Sequence, residues 1–479
     1  MLRRRHRAIR PLEEMEVQLV RACLESPGWL TRRQEHRIRY ALSLARLTEV
    51  RTADGRDIDL SESLSPYRQR LIDTLSPLLR DGAGLVEKPE VASLEPVIWE
   101  LAREQRDELM ATSAARLPWE DVDREIRKKE LVLACGGGGG VGYVYLGAFH
   151  ALEDAGLIPA LISGTSIGAI LGAFRARHKH FDAARVVEVV QALSWSKLFS
   201  PVSLKTRYGL PGPLRLYLRA GIGEFLQDDP DRPPLAVKEL AIPMLITIAG
   251  IRRGEMPHSP EWYEHGFKEA APGAGGLGGI GRTRRLIAGL WRTLSDFVQH
   301  PEMLKPLVAG ADPLTAEFDL LDALGFSAAV PGLIHYDIAR QAPDTIALLE
   351  EILEREGIGR LIDGGLVDNV PARSAWRAVQ AGKIGHRNAL VVAMDGFAPK
   401  LTAPIWIPIQ RLAQQNVRGN LRYAHVVMTF LKTLSPIDLV PSVANTLKAV
   451  RAGREEFSYE LPLIARLLEP LEAHEDPSP

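Results

Sequence analysis

Five residues, Gly164-Thr165-Ser166-Ile167-Gly168, constrain the fold of this chain more than any other stretch. A short β-prone apolar run, Leu161-Ile162-Ser163, precedes them, and a helix-prone run over 169–177 follows. Strand, Gly-x-Ser-x-Gly and helix in that order describe a nucleophile elbow. The glycines permit a turn too sharp for side chains, so the serine Oγ projects at the start of a helix. The pentapeptide is short enough to arise by chance, and its surroundings have to carry the argument.

A chain of 479 residues exceeds one compact core, which points to a main domain with appended segments. Apolar content of 46% and a net charge of −1 are ordinary for a soluble globular protein and give no pull toward nucleic acid. Residues 1–50 are locally basic, densest at Arg3-Arg4-Arg5-His6-Arg7 with Arg10 just beyond. That cluster suits an anionic membrane surface or a solvated, disordered terminus, and the terminus is the expectation. With only Cys23 and Cys135, a disulfide framework is not expected and a reducing compartment, the cytoplasm, is the default. Pro11, Glu13, Glu14 and Glu16 stand where a secretory signal needs an apolar core. The uncharged run 156–174 is long enough for a membrane span, yet it holds Pro159 and the elbow. A buried strand, turn and helix explain it better, so any membrane contact is expected to be peripheral.

Residues 1–127 read as a mostly helical extension. Ser65-Pro66 marks a helix start, Asp54-Gly55 fits a hairpin turn between 49–52 and 57–60, and a further helix is expected over about 94–115. From Lys128 the pattern changes. Residues 131–135 form an apolar run without polar alternation, as in a strand covered on both faces. Gly136 to Gly140 and Gly142 follow, then a helix from about Tyr143 that ends near Gly156. Later strands are expected over 244–249 and 389–394. Strands alternating with helices predict a three-layer α/β/α domain over 128–400 with a mostly parallel central sheet. Residues 273–281, rich in glycine, read as a mobile loop, and 401–479 as a helical C-terminal segment with Pro404, Pro408 and Pro436.

Acyl transfer from an ester needs a nucleophile, a base and donors aimed at the developing oxyanion. Ser166 is the candidate nucleophile. The side-chain-free amides of the Gly136–Gly140 loop, between strand and helix, can converge on an anion. The same loop fits G-x-G-x-x-G as Gly137, Gly139 and Gly142. A dinucleotide site, however, wants an acidic residue at the end of the second strand, and that strand ends in Ser163-Gly164-Thr165-Ser166. A Walker A loop also fails, for want of Gly-Lys-Ser/Thr. The third signal is Asp363-Gly364-Gly365, reached from Leu361-Ile362 and followed by Asn369 and Pro371; in isolation it reads as a turn.

Taken in order, Gly137–Gly142, Gly164–Gly168 and Asp363–Gly365 resemble the patatin-like phospholipase family of lipid acyl hydrolases, over about 128–400. Softer matches are Ile242-Pro243-Met244 and Ser327-Ala328-Ala329-Val330-Pro331. The resemblance implies a Ser–Asp dyad with Ser166 as nucleophile and Asp363 as base, and backbone donors from Gly137, Gly138, Gly139 and Gly140. It implies a lipid ester substrate, met at a membrane or lipid-droplet surface, with no cofactor, no metal and no nucleic acid. It leaves the oligomeric state open. Many members carry arginine just before the last loop glycine, where this chain has Val141; neutral-lipid members have an apolar residue there, which tilts slightly toward triacylglycerol or other uncharged esters and leaves the choice between phospholipids and neutral lipids nearly even.

Other readings compete with these. A Ser-His-Asp esterase would draw on His335, and Asp395, at the end of the 389–394 strand, rivals Asp363. His178 and His180 are a weak metal hint, and Asp228, Asp229 and Asp231 read as a turn. Residues 404–409, with Trp406, fit core packing or a lipid interface. A scaffold that keeps the fold without turnover is the alternative to an enzyme.

Overall fold

The computed structural model describes residues 2–79, 86–113, 116–201, 206–212, 214–226, 234–255, 297, 299–338, 342–398 and 407–472. The expected glycine-rich loop at 273–281, the Asp228–Asp231 turn and residues 404–406 lie outside them. The described residues form two compact units. One takes in those within 2–132, 376–391 and 459–472; the other takes in those within 133–375 and 392–458.

The first unit is helical. Its helices are Leu2–Glu25, Arg32–Arg46, Ser65–Leu75, Lys88–Ser113, Trp119–Arg127 and Leu461–Leu468. Strands β1 (Glu49–Arg51) and β2 (Asp57–Asp59) make the expected hairpin, with Gly55 at φ 86°. The basic N-terminus is not a disordered tail. It opens the first helix with Arg5 and His6 buried, because Arg5 meets Glu49 at 3.0 Å and the His6 ring stands edge-on to Trp376. The Ser65 helix is capped at Leu64, with no side-chain cap bond, and the helix expected from 94 starts at Lys88 with Pro96 inside it. Leu12, Leu19, Ile38, Leu42, Leu71 and Ile98 fill the core.

The second unit is built on a mixed, mostly parallel sheet covered by helices, a three-layer α/β/α arrangement. The strands with residues in this unit are β3 (Glu130–Cys135), β4 (Leu161–Thr165), β5 (Phe199–Pro201), β6 (Leu214–Leu216), β7 (Met244–Arg252), β8 (Leu304–Ala309), β9 (Ile334–His335), β10 (Ile358–Asp363), β11 (Ala389–Asp395) and β12 (Val426–Thr429). The main sheet runs β10-β7-β4-β3-β11-β12, with β8 on β7, while β5, β6 and β9 form a small second sheet. β4 and β11 run parallel to β7 and β12, whereas β8 and β10 run antiparallel to β7. The helix Val443–Ser458 lies against Val144–Asp154. A Cβ on Gly147 would stand 2.1 Å from Val450 O, and one on Gly453 would stand 1.9 Å from Val144 O, so backbone meets backbone at this crossing.

One detail of register creates the site. β7 pairs with β8 along 246–251, which fixes one of its edges. On the opposite edge β4 pairs with the first half of β7, ending with Thr165 beside Thr247. β10 then comes from the other direction along that same edge and ends with Asp363 beside Ile248. Two strands thus finish head to head at neighbouring positions of a third.

Candidate active site

Ser166 follows the last residue of β4. At φ 53° and ψ −125° it is, among the described residues, the one non-glycine with φ in the left-handed range. Such a conformation stores roughly 1–3 kcal/mol and persists only where neighbours enforce it. Enforcement here is visible. The Ser166 N–H donates to Ser327 Oγ at 2.9 Å, and that hydroxyl donates in turn to Thr247 O at 2.7 Å. A Cβ on Gly168 would stand 2.3 Å from Cys135 O, and one on Gly164 would stand 2.6 Å from Ala169 Cα, which is the close helix–strand approach the elbow needs. Ser166 therefore stands at the N-terminus of the helix Ile167–Ala176, where the dipole favours developing negative charge.

Asp363 ends β10. Its N–H donates to Ala329 O at 2.9 Å, and the N–H of Gly364 donates to Ser327 O at 3.3 Å. The segment 327–329 therefore holds both candidate dyad residues. Asp363 Oδ1 accepts the Gly365 N–H at 2.7 Å, while Oδ2 accepts no hydrogen bond of ordinary geometry. Burial pushes the carboxyl up, the Gly365 amide and the Ser166 hydroxyl pull it only part of the way back, and it is left at about 6. No cation contributes. A carboxylate raised in this way is a better proton acceptor than one near the ordinary ~3.9.

The glycine loop narrows the set of amides able to meet an oxyanion. Gly137 N–H donates to Asn369 O at 3.0 Å and Gly140 N–H to Pro436 O at 3.1 Å, so these two of the four expected donors are already engaged. Gly138, at φ 138°, and Gly139, at φ 61°, remain, and both line the same cavity as Ser166. Gly142 is where the loop passes over the elbow, since a Cβ there would stand 2.7 Å from Ile167 Cγ2. Val141 is buried beside Gly138 and Gly396 rather than on the cavity wall.

The cavity measures about 520 Å³ and holds Ser166, Asp363, Gly138 and Gly139 on its wall. Most of the rest is apolar, including Ile170, Phe174, Val189, Leu198, Leu216 and Ile222. Ile437 belongs to both wall and surface, at 46% exposure.

The rival residues are placed otherwise. His335 is fully buried, neither ring nitrogen has a hydrogen-bond partner, and burial with the Arg215 charge pushes it down to about 4. It makes no bond to Ser166 or Asp363. Asp395 is occupied: Oδ1 accepts the Phe397 N–H and Oδ2 the Gln414 Nε2, each at 2.9 Å. His180 pairs with Glu153 at 2.9 Å, and no cluster of metal-ligating side chains exists among the described residues. No described helix is long and apolar enough to cross a membrane. Sequence reasoning gave Ser327 no role, overlooked Arg373 on the cavity wall, and noted Asn369 only as a flanking motif residue. Their roles follow from contacts made across the fold.

Residues 133–376 match the family described as patatin-like phospholipase. Among known proteins, lysophospholipase NTE1 of Coccidioides immitis is 34% identical over 122 residues, covering 25% of this chain and 7% of that protein. Lysophospholipase NTE1 of Chaetomium globosum is 41% identical over 58 residues, 12% of this chain and 4% of that one. The chain thus matches only a small part of the length of these relatives.

Proposed function

Since this chain belongs to the patatin-like phospholipase family, we propose that it hydrolyses carboxylic esters of lipids through an acyl-serine formed on Ser166. Asp363 takes the proton from the Ser166 hydroxyl as Oγ attacks the ester carbonyl. The carbonyl oxygen, now negative, is met by the Gly138 and Gly139 amides and the helix N-terminus. The tetrahedral adduct expels the alcohol, which leaves with the proton held by Asp363. Water then gives a proton to the same carboxylate, attacks the acyl-serine, and releases the fatty acid and the free hydroxyl. The acyl chain lies along the apolar wall. Substrate is taken from a membrane or lipid-droplet surface, with Ile437 at the mouth. Relatives named lysophospholipase favour a phospholipid or lysophospholipid over triacylglycerol.

The observation that carries this reading is a strained serine facing a buried carboxylate with no cation beside it, at the wall of an apolar cavity. The base must be ionised to act, so kcat should rise with pH through a midpoint near 6 and level off above it. A fluorophosphonate probe should label the wild-type protein and fail on Ser166→Ala. Folded wild-type protein that takes no label and cleaves no lipid ester would leave a scaffold instead. A His335→Ala variant without activity would revive the triad.

A further inference from the structure

The cavity wall carries two charged side chains among the described residues, Asp363 and Arg373. Arg373 stands in the first turn of the helix Ala372–Gln380. Its Nε is buried without an acceptor, and no carboxylate among the described residues pairs with it. Other buried arginines, such as Arg39 and Arg46, also keep one nitrogen without a hydrogen-bond partner, but each makes hydrogen bonds through the others. Arg39 meets Glu16 at 3.2 Å, and Arg68 donates to the carbonyls of Ala45, Leu47 and Ser61. Arg373 is half-buried, so its charge is partly solvated, and the buried Nε is the donor left for an acceptor to fill.

A second orphan donor lies on the same wall. Asn369 is 4% exposed, and its Nδ2 has no partner. Two donors without acceptors, four positions apart, call for a ligand with several oxygens. The planar fork of arginine matches phosphate in a way that an uncharged ester does not. Apolar side chains make up most of the remaining wall, which suits an acyl chain.

We infer that Arg373 and Asn369 form an anion subsite that takes the phosphate of a phospholipid while an acyl chain lies in the apolar cavity. The subsite selects headgroup charge, a role the glycine loop with Val141 does not supply. For turnover this rests on the hydrolase reading; for binding it does not.

Two measurements on the full chain test it. The first compares kcat/KM for lysophosphatidylcholine with that for a monoacylglycerol of the same chain. In Arg373→Gln that ratio should fall about 10- to 100-fold, chiefly through KM, as expected for loss of a charged hydrogen bond. Arg373→Lys, which keeps the charge and loses the fork, should fall between the two. An unchanged ratio, or a lysine variant no better than glutamine, overturns the subsite. The second is calorimetric binding of dodecylphosphocholine, below its micellar range, to Ser166→Ala protein. Adding Arg373→Gln should weaken binding about tenfold or more, and undiminished binding overturns the subsite whatever the activity. Inorganic phosphate should bind far more weakly; equal binding would make this a free-phosphate site and overturn the lipid assignment. If no ester is cleaved yet dodecylphosphocholine binding depends on Arg373, the hydrolase reading fails and the subsite stands. Should Arg373→Gln not fold, Arg373→Lys carries both measurements, with a several-fold loss expected.

Discussion

Two buried carboxylates, one in each unit, are treated in opposite ways. In the helical unit, burial pushes the Glu16 carboxyl up, and Lys129 and Arg39 more than reverse it, holding it below the usual range. Arg39 Nε donates to one Glu16 oxygen at 3.2 Å, and Lys129 Nζ meets the other. In the α/β unit, Asp363 is as deeply buried, receives one backbone amide, and is left at about 6. A neutralised carboxylate holds helices together and cannot take a proton near neutral pH. An unneutralised one is poised to take a proton, at the expense of stability. The sequence type is nearly the same; the neighbouring cations decide which role it has.

The largest effect expected from breaking this contrast is catalytic. Asp363→Asn should lower ester hydrolysis by roughly 10³-fold or more, read as kcat on a fluorogenic ester; a loss of less than tenfold would place the base elsewhere. Next in size, Glu16→Gln leaves Lys129 and Arg39 without their anion and should cost about 3–5 kcal/mol in urea unfolding at pH 7. Because the folded Glu16 value is depressed, its contribution is present above the ordinary carboxylate range and fades as pH falls, so the penalty should shrink toward pH 3.

Asp363→Asn sharpens the comparison from the other side. A rise from 3.8 to about 6 means that ionised Asp363 opposes folding by roughly 3 kcal/mol. Stability is unaffected below about pH 4, where the carboxyl is protonated in both states, and is lost as pH rises through 6. The inactive variant should therefore be the more stable protein at pH 8 and equal to wild type at pH 4. Thermal unfolding at the two pH values decides it, and equal stability at pH 8 would mean the carboxylate is better solvated than its burial implies. Smallest is Ser327→Ala, which removes the acceptor of the Ser166 N–H. It should reduce kcat about tenfold with KM little changed, since a buried amide loses its partner while the cavity wall is kept.

What the sequence made legible is what is encoded locally. The elbow needs Gly164, Ser166 and Gly168 within five positions, and the Asp363-Gly364-Gly365 turn follows its own strand. Both were readable, as were β3, β7, β11 and the hairpin at Gly55. What stayed hidden depends on partners far along the chain. The engagement of the Gly137 and Gly140 amides is set by the carbonyls of Asn369 and Pro436, which no local pattern announces. The arginine-rich start reads as solvated until Glu49 is seen beside Arg5. Ser327 reads as one residue of an apolar helix end until its hydroxyl is found between Ser166 and Thr247. Arg373 is one of many arginines until the cavity is mapped.

The meeting of β4 and β10 on one edge of β7 carries a tolerance with it. The reactive pair is aligned by a shared ruler, and the long excursion between Thr165 and Ile358 only has to return to the correct notch. Insertions, deletions or exchange in the parts of that excursion outside the elbow helix, β7, β8 and the 327–329 segment can redesign the chamber while the spacing of the two reactive groups is left untouched. A two-residue slip of β10 along the ruler, by contrast, would carry the carboxylate about 6–7 Å away and silence the protein with every side chain intact.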